Sequence, residues 1–276
     1  MSARSRTCKA GLDRVLGSPR QRFLEHDMDA SSVARLVIEP QQVHIWKADL
    51  QVGPRRLDEL VSVLTADERA RSELFHFARD RRRFIARRGY LRRLTASYLS
   101  SAPGDVRFSY STVGKPFLAR DCGGDELSFN MSDSGELAVY AFTLRVTSPT
   151  IGIDVERIEP SVARERIAEH FFSAREIATL RTLPAAEQIQ GFFNCWTRKE
   201  AYLKAIGDGL ALPLYQFDVS LTPGGPAELL RAAGGTNTSH WVLQELNVGC
   251  GYVAAVAIKS PCPIHFTTAS ITALWP

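Results

Sequence analysis

"IGIDVE", residues 151–156, is a short apolar run of the kind that forms a buried β-strand, yet it carries two acids. Side chains alternate between the two faces of a strand, so the three β-branched residues anchor one face. Asp154 and Glu156 then project together from the other face. Two like charges this close repel each other unless a cation separates them. The run therefore indicates either a cation site or an exposed strand end whose acids face water.

The stretch "WTRKEAYLK" adds a third acid on a predicted helix. Trp196, Glu200 and Lys204 are spaced four residues apart and share one face of that helix. Alone, this pattern is typical of an exposed Glu–Lys pair beside a buried tryptophan. With the strand acids, Glu200 would complete three carboxylates for a hard divalent cation such as Mg²⁺, which prefers oxygen ligands and often shares itself with a phosphate. Lys204, one turn further along, would then reach the same phosphate.

The order of helix and strand patterns predicts an α+β fold. Short strand patterns and amphipathic helix patterns occur in both parts of the chain without strict alternation, which argues against a doubly wound sheet. A Thr-Ser-Pro segment at residues 147–149 reads as a linker. We therefore expect an N-terminal half over residues 41–149 and a C-terminal half over residues 150–276, preceded by a mobile extension over residues 1–40.

Composition narrows the class of protein. A formal charge of +4 on 276 residues is too weak to argue for nucleic acid by itself. Five scattered cysteines without a CxxC pair argue against a disulfide framework or a structural zinc site, and they favour a reducing, cytoplasmic location. No apolar run approaches the roughly 20 residues that span a bilayer. The absence of Walker A and GxGxxG motifs leaves nucleotide hydrolysis and dinucleotide binding without support.

Eight arginines crowd into residues 79–93, within a predicted helix whose apolar stripe includes Phe84, Leu91 and Tyr98. Such a cluster is usually a solvated helix face. It also suits nucleic-acid phosphates, which makes a nucleic-acid-binding module the main rival interpretation. That rival predicts binding that weakens steeply with salt and ignores the three acids.

Four motifs in this order resemble the 4'-phosphopantetheinyl transferases of the surfactin-synthetase type. They are "GKPFL" (residues 114–118), "FNMSDSG" (129–135), "IGIDVE", and "FFNCWTRKEAYLKAIGDGLALPL" (192–214). The resemblance covers approximately residues 43–258, and the two carboxylate motifs are its most specific part. It implies a pseudo-dimer of two similar halves, each a small, mostly antiparallel sheet packed with helices, with the active site in the cleft between them.

The resemblance also implies an activity. Family members transfer the 4'-phosphopantetheine arm of coenzyme A to a serine of an apo acyl or peptidyl carrier protein, with Mg²⁺, and release adenosine 3',5'-bisphosphate. We expect a monomer whose partners are coenzyme A and carrier proteins, with no membrane and no nucleic acid. Secondary-metabolite, lysine, fatty-acid and siderophore pathways all use such enzymes, and the sequence does not choose among them.

Site residues carry over by motif and by register. The positions that match the family's metal ligands are Asp154, Glu156 and Glu200. Glu200, as the proton acceptor for the carrier serine, and Lys204, as a phosphate contact, are the catalytic candidates. The positions that match coenzyme contacts are Arg71, Arg83, Lys115, Ser132, Asp133, Lys199 and Lys204.

Asp133 departs from the family pattern. The family usually has a histidine at this point of the "NMSDSG" turn, where it contacts a coenzyme phosphate. A carboxylate beside a phosphate is repulsive unless a cation or a proton intervenes. We therefore expect that Asp133 turns away or that other groups hold the phosphate. A catalytically degenerate coenzyme A binder is the third interpretation, in which replacing Asp133 with histidine would raise coenzyme affinity.

Overall fold

Six α-helices and eleven β-strands form the part of the chain that the computed structural model describes. The described residues are 35–112, 114–122, 125–148, 150–161, 164–207 and 212–275. Most of the predicted N-terminal extension, residues 1–34, therefore lies outside them. None of the helices within the described ranges is long and apolar enough to cross a membrane.

The first half of the chain contains three helices and five strands. In chain order these are β1 (Gln42–Asp49), α1 (Pro54–Ser62), α2 (Ala66–Glu73), α3 (Ala78–Leu99), β2 (Phe108–Tyr110), β3 (Pro116–Leu118), β4 (Leu127–Ser134) and β5 (Leu137–Leu144). A capping box starts α2, because the Thr65 side chain accepts from the Glu68 backbone N–H and the Glu68 side chain accepts from the Thr65 backbone N–H. The arginine-rich segment is the 22-residue helix α3, as its apolar stripe predicts.

The second half supplies three further helices and six strands. These are β6 (Ile151–Arg157), α4 (Arg164–Phe171), α5 (Ala174–Thr182), α6 (Ala185–Ile206), β7 (Asp218–Val219), β8 (Leu229–Arg231), β9 (Trp241–Leu246), β10 (Tyr252–Lys259) and β11 (His265–Ser270). Ser173 starts α5 with a second capping box, which separates α5 from α4. Helix α6 ends at Gly207, which adopts the left-handed conformation with φ of 81°.

Two mostly antiparallel sheets organise the two halves and confirm the α+β prediction. The first sheet has the strand order β11-β1-β5-β4 and the second has the order β6-β10-β9. All pairs in them are antiparallel except β11 with β1. The chain thus returns to its first half at the end. The predicted boundary gives residues 265–270 to the second half and needs correction here. These residues form an edge strand of the first sheet, and their polar sequence does not show the apolar alternation that predicts a strand.

Three apolar clusters hold these layers together. One lies between α3 and the first sheet, and a second lies between α6 and the second sheet. The third cluster joins the two sheets face to face and contains Val43 and Ile45 of β1 with Ile151, Ile153 and Val155 of β6. The predicted anchor residues of "IGIDVE" are therefore buried between the halves, while the alternate residues of β6 face α6.

Gly152 sets the distance between β6 and α6. A Cβ atom at this position would lie 2.0 Å from the Ala201 carbonyl oxygen and 2.4 Å from the Ala205 backbone nitrogen. Both obstructing atoms belong to the helix backbone, which cannot rotate away as a side chain can. The absence of a side chain at Gly152 is therefore what lets the acidic face of β6 lie directly on α6.

Replacing Gly152 with alanine should force the strand away from the helix. We expect a loss of about 1–3 kcal/mol of unfolding free energy, at the upper end because backbone is obstructed, measured by urea denaturation. The Gly104→Ala variant is the matched control, since no atom lies within 4 Å of its added Cβ. Equal stabilities of the two variants would contradict this account of the packing.

Candidate active site between the two halves

Side chains of β4 connect the first half directly to the acids of β6. The Ser132 hydroxyl donates a hydrogen bond to Asp154 Oδ1 at 2.9 Å, and the Ser134 hydroxyl donates to Glu156 Oε2 at 2.8 Å. The two pairs follow the two-residue period of both strands, so they lie side by side along the junction. The "NMSDSG" and "IGIDVE" motifs thus meet at the boundary of the two halves.

Lys204, in the last turn of α6, completes this junction. Its Nζ donates to Asp154 Oδ1 at 2.6 Å and to Ser132 Oγ at 2.9 Å. Asp154 is only 3% exposed. Burial raises the pKa of the Asp154 carboxyl, and the Lys204 ammonium and the Ser132 hydroxyl oppose that rise. Lys204, the lysine predicted to bind phosphate, is therefore paired with Asp154, one of the predicted metal ligands.

Glu156 and Glu200 lie within electrostatic reach of Asp154. Burial raises the pKa of each glutamate, and the negative charge of Asp154 raises both further. The Trp196 side chain and the Lys204 ammonium oppose the pKa rise of Glu156, and Lys204 also opposes that of Glu200. The predicted helix face of Trp196, Glu200 and Lys204 thus points at the strand acids. Three carboxylates and one ammonium share this region, which we call the acidic cleft.

The acidic cleft partly fits a divalent cation. Asp154 Oδ2 is buried and has no hydrogen-bond partner among the described residues, which is costly for a carboxylate oxygen unless a cation faces it. All of the donors are hard oxygens, which suits Mg²⁺. However, within the described ranges no three acidic, histidine or cysteine side chains already surround one point. The predicted three-acid set is therefore gathered in one cleft but not preassembled around a metal position.

Lys115 connects the "GKPFL" hairpin to the same cleft from the first half. Its Nζ donates to the Lys204 carbonyl oxygen and, at 3.4 Å, to the Ile151 carbonyl oxygen. A cation is favourable there because the last carbonyls of α6 carry the negative end of the helix dipole. Burial, followed by the charge of Lys204, lowers the pKa of Lys115 to about 8. The predicted loop lysine is therefore close to the site, but it is partly buried against α6.

Lys199, a predicted coenzyme contact, lies in the core of the second half. Its side chain is fully buried and forms an ion pair with Glu176 at 2.8 Å. Its Nζ also donates to the Leu214 and Phe217 carbonyl oxygens, both at 2.7 Å. Adjacent helix residues lie about 100° apart around the axis, so Lys199 points into the second-half core while Glu200 faces the cleft. Lys199 therefore has a structural role.

Arginines of α3 meet the turn between β4 and β5. Arg87 pairs with Asp133, and Arg83 pairs with Glu136. Asp133 thus points at a guanidinium of the first half. This is a cation of the kind that a carboxylate at this position needs if a phosphate binds nearby. Arg71, on α2, is exposed, and its guanidinium lies 5.8 Å from the centre of the Phe84 ring.

Two further arginines of α3 are turned inwards and are not part of a basic surface. Arg88 and Arg92 are both buried and both bind the Glu68 carboxylate. Arg88 also donates to the Tyr110 hydroxyl, and Arg92 donates to two backbone carbonyl oxygens. Charges committed to internal carboxylates are unavailable to a phosphate backbone, so the nucleic-acid interpretation is not favoured.

Three contacts around the cleft do not follow from the sequence patterns. The hydrogen bond from Ser134 to Glu156 is one, although the two-residue spacing of Ser134 from Ser132 mirrors the spacing of the acids that they bind. The apolar pattern favours a core position for Trp196, yet its indole reaches Glu156. The contact between Arg87 and Asp133 is the third, because nothing in the sequence indicates which arginine of the cluster faces Asp133.

Two family descriptions match the chain, one to each half. Residues 150–257 match the 4'-phosphopantetheinyl transferase superfamily, and residues 51–144 match the 4'-phosphopantetheinyl transferase N-terminal family. The first matched region contains the acids of the cleft, and the second contains Arg71, Lys115 and Ser132. Both sides of the junction thus carry the signature of the same enzyme class.

Curated relatives extend the similarity over most of the chain. The 4'-phosphopantetheinyl transferase HetI of Nostoc sp. is 40% identical over 81% of this chain and 90% of the relative. The transferase Sfp of Bacillus subtilis is 31% identical over 77% of this chain and 90% of the relative. The human L-aminoadipate-semialdehyde dehydrogenase-phosphopantetheinyl transferase is 28% identical over 75% of this chain and 72% of the relative. The chain therefore belongs to the 4'-phosphopantetheinyl transferase superfamily and is a transferase.

The Lys204–Asp154 contact predicts a measurable titration. In the Lys204→Met variant, the Asp154 pKa should rise further, because burial would act without the opposing ammonium. Carbon-detected NMR of the aspartate carboxyls, in the absence of divalent cations, measures the change. Lys259→Met is the control, because Lys259 is exposed at the end of β10. An unchanged Asp154 pKa in the Lys204 variant would show that the contact does not form in solution.

Proposed function

We propose that this chain transfers the 4'-phosphopantetheine arm of coenzyme A to a serine of an apo carrier protein in the acidic cleft, with Mg²⁺ as the metal. The observation that carries the proposal is the junction of Ser132, Asp154 and Lys204, in which three sequence motifs of the family meet across the two halves. The proposed reaction is that of the family, and the side chains of the cleft are chemically suited to it.

Asp154, Glu156 and Glu200 are the side chains that would hold the metal. The Oδ2 atom of Asp154 is the best-placed ligand atom, because no other group of the described residues binds it. When bound, Mg²⁺ would neutralise charge on the pyrophosphate of coenzyme A. The acids themselves would gain from it, since burial and then the charge of Asp154 raise the pKa of both glutamates.

Lys204 and Glu200 divide the remaining chemistry. The carrier serine oxygen forms a bond to the β-phosphorus, and the bond from that phosphorus to the bridging oxygen breaks, which releases adenosine 3',5'-bisphosphate. Lys204 presents a positive charge in the cleft that is able to stabilise the phosphate oxygens. Burial raises the pKa of Glu200, which makes it a stronger base than an exposed glutamate and suits it to accept the serine proton.

Charge and location complete the proposal. Carrier proteins are acidic, and the net charge of +4 on this chain favours their approach. We further propose a cytoplasmic monomer, because the scattered cysteines suit a reducing compartment and the chain contains both halves of its own cleft.

The first test is transfer to an apo carrier protein. Asp154→Ala and Glu200→Ala should each abolish the mass gain of one phosphopantetheine arm, because each removes a group that holds or uses the metal. Mass spectrometry after incubation with coenzyme A and Mg²⁺ measures the product. Glu228→Ala is the matched control, since Glu228 is exposed and remote from the acidic residues of the cleft in sequence.

The outcomes separate the three interpretations. Full activity of either cleft variant would remove the metal assignment. A wild-type chain that binds coenzyme A but transfers nothing to a panel of carriers would support the degenerate binder instead. Salt-sensitive nucleic-acid binding without transfer would revive the arginine-helix alternative.

The raised pKa values predict how Mg²⁺ and pH act together on stability. Each acid binds its proton more tightly in the folded state, so its contribution to the unfolding free energy falls as pH rises through the raised pKa. Mg²⁺ binds the deprotonated acids and should restore that stability. We expect a larger rise in Tm on adding Mg²⁺ at about pH 7.5 than at about pH 5.

Differential scanning fluorimetry with Mg²⁺ or a chelator measures this effect. In Asp154→Asn the dependence on Mg²⁺ should be lost at both pH values, because the neutral amide is a weaker ligand. A Tm gain of equal size at both pH values would place Mg²⁺ elsewhere on the protein.

A further inference from the structure

Strands β4 and β6 meet at the junction of the two halves without forming one sheet. β4 is an edge strand of the first sheet, and β6 is an edge strand of the second. Within the described part of the chain, no backbone ladder joins the two strands. The edge of β6 that faces β4 therefore presents backbone N–H groups that need acceptors of another kind.

Side chains of β4 provide these acceptors. The Asn130 side-chain oxygen, Oδ1, accepts from the Ile153 backbone N–H at 2.9 Å, and Ser134 Oγ accepts from the Arg157 backbone N–H at 3.1 Å. Ser132 lies between them on the same face of β4, because side chains two residues apart project together. We call Asn130, Ser132 and Ser134 the polar ladder.

The polar ladder holds the acids of β6 between two fixed points. Ile153 precedes Asp154, and Arg157 follows Glu156, so both carboxylates lie between the two bound N–H groups. The partners along the ladder stay 22 or 23 residues apart in sequence, which means that the two strands run in the same direction in one register. The backbone that carries the acids is therefore fixed relative to the first half.

Asn130 makes the most deeply buried contact of the polar ladder. Its side chain belongs to a residue that is 4% exposed, and Ile153 is fully buried. A backbone N–H at such a depth is costly to leave without an acceptor. If Asn130 Oδ1 were removed, β6 would have to shift to find another acceptor, and Asp154, the next residue, would shift with it.

We propose that Asn130 is a positioning residue for the proposed reaction, because it holds the backbone of β6 where Asp154 and Glu156 share one divalent cation. The inference rests on the proposed function, since the cation is the Mg²⁺ of that reaction. Asn130 acts through the strand and not on the ligand. Removal of groups that orient metal ligands typically costs about 10- to 100-fold in metal affinity or activity.

The first test is calorimetric titration of Mg²⁺ into the protein in the presence of coenzyme A. Asn130→Ala should raise the Kd for Mg²⁺ about 10- to 100-fold, because the acids are no longer held in one register. In the transfer assay the same variant should lose activity at low Mg²⁺ and regain part of it as the Mg²⁺ concentration rises. A smaller amount of folded protein would lower activity at every Mg²⁺ concentration.

Hydrogen exchange of the Ile153 amide, followed by NMR, tests the contact itself. Exchange should be faster in Asn130→Ala than in the wild-type protein, because the N–H loses its acceptor. Asn130→Ser should lie between the two, since the Ser134 hydroxyl already accepts a backbone N–H of β6 from the same face of β4. The Kd for Mg²⁺ should follow the same order, and Asn130→Ser decides the question if Asn130→Ala fails to fold.

Two control variants separate positioning from a general loss of stability. Ser128→Ala is the matched control, because Ser128 lies on the same face of β4, is 6% exposed, and its hydroxyl has no partner among the described residues. It should leave the Kd for Mg²⁺ unchanged. Leu91→Ala removes a fully buried side chain from the core between α3 and the first sheet, so it should lower Tm without raising that Kd.

The outcomes distinguish this inference from the proposed function. Faster exchange of the Ile153 amide with an unchanged Kd for Mg²⁺ in Asn130→Ala would show a purely structural contact and overturn the positioning role. An equal rise of the Kd in Leu91→Ala would overturn it as well. A wild-type protein that binds no Mg²⁺ and transfers nothing would contradict the proposed function, and the inference would fall with it.

Discussion

The buried carboxylate of Asp154 is the group on which the rest of this structure depends. A carboxylate that is 3% exposed is costly unless it is paired and hydrogen-bonded, and its partners here come from both halves of the chain. Ser132 reaches it from β4, and Lys204 reaches it from the end of α6. The electrostatic requirement of one acid thus fixes how the first sheet, the second sheet and the long helix meet.

Close packing makes that arrangement possible. The apolar face of β6 is buried between the two sheets, while its other face carries Gly152, Asp154 and Glu156 towards α6. Because Gly152 has no side chain, the strand lies against the helix backbone, and the acids come within reach of Glu200 and Lys204. Packing and chemistry are therefore set by alternate residues of one six-residue motif.

The acids of the cleft reduce the stability of the folded protein when they are charged. Burial raises the pKa of Asp154, Glu156 and Glu200, which means that the folded protein would be easier to form if these acids were neutral. Several arginines of α3 are paired instead with carboxylates such as Glu68 and Glu136. These ion pairs neutralise the arginines and connect α3 to the rest of the first half. Arg87 stands between the two cases, since Asp133 orients it without using all of its donors.

The sequence by itself determined the α+β class, the helices α3 and α6, and the identity of the acids in the cleft. Those features follow from side-chain periodicity, capping residues and motif spacing, which are local. Tertiary structure decided that β11 joins the first sheet, that Lys199 is buried beside Glu176, and that Arg87 rather than a histidine stands beside the β4–β5 turn. Each of these depends on which groups meet across long stretches of chain, and charge pairing at a distance leaves no periodic signal in the sequence.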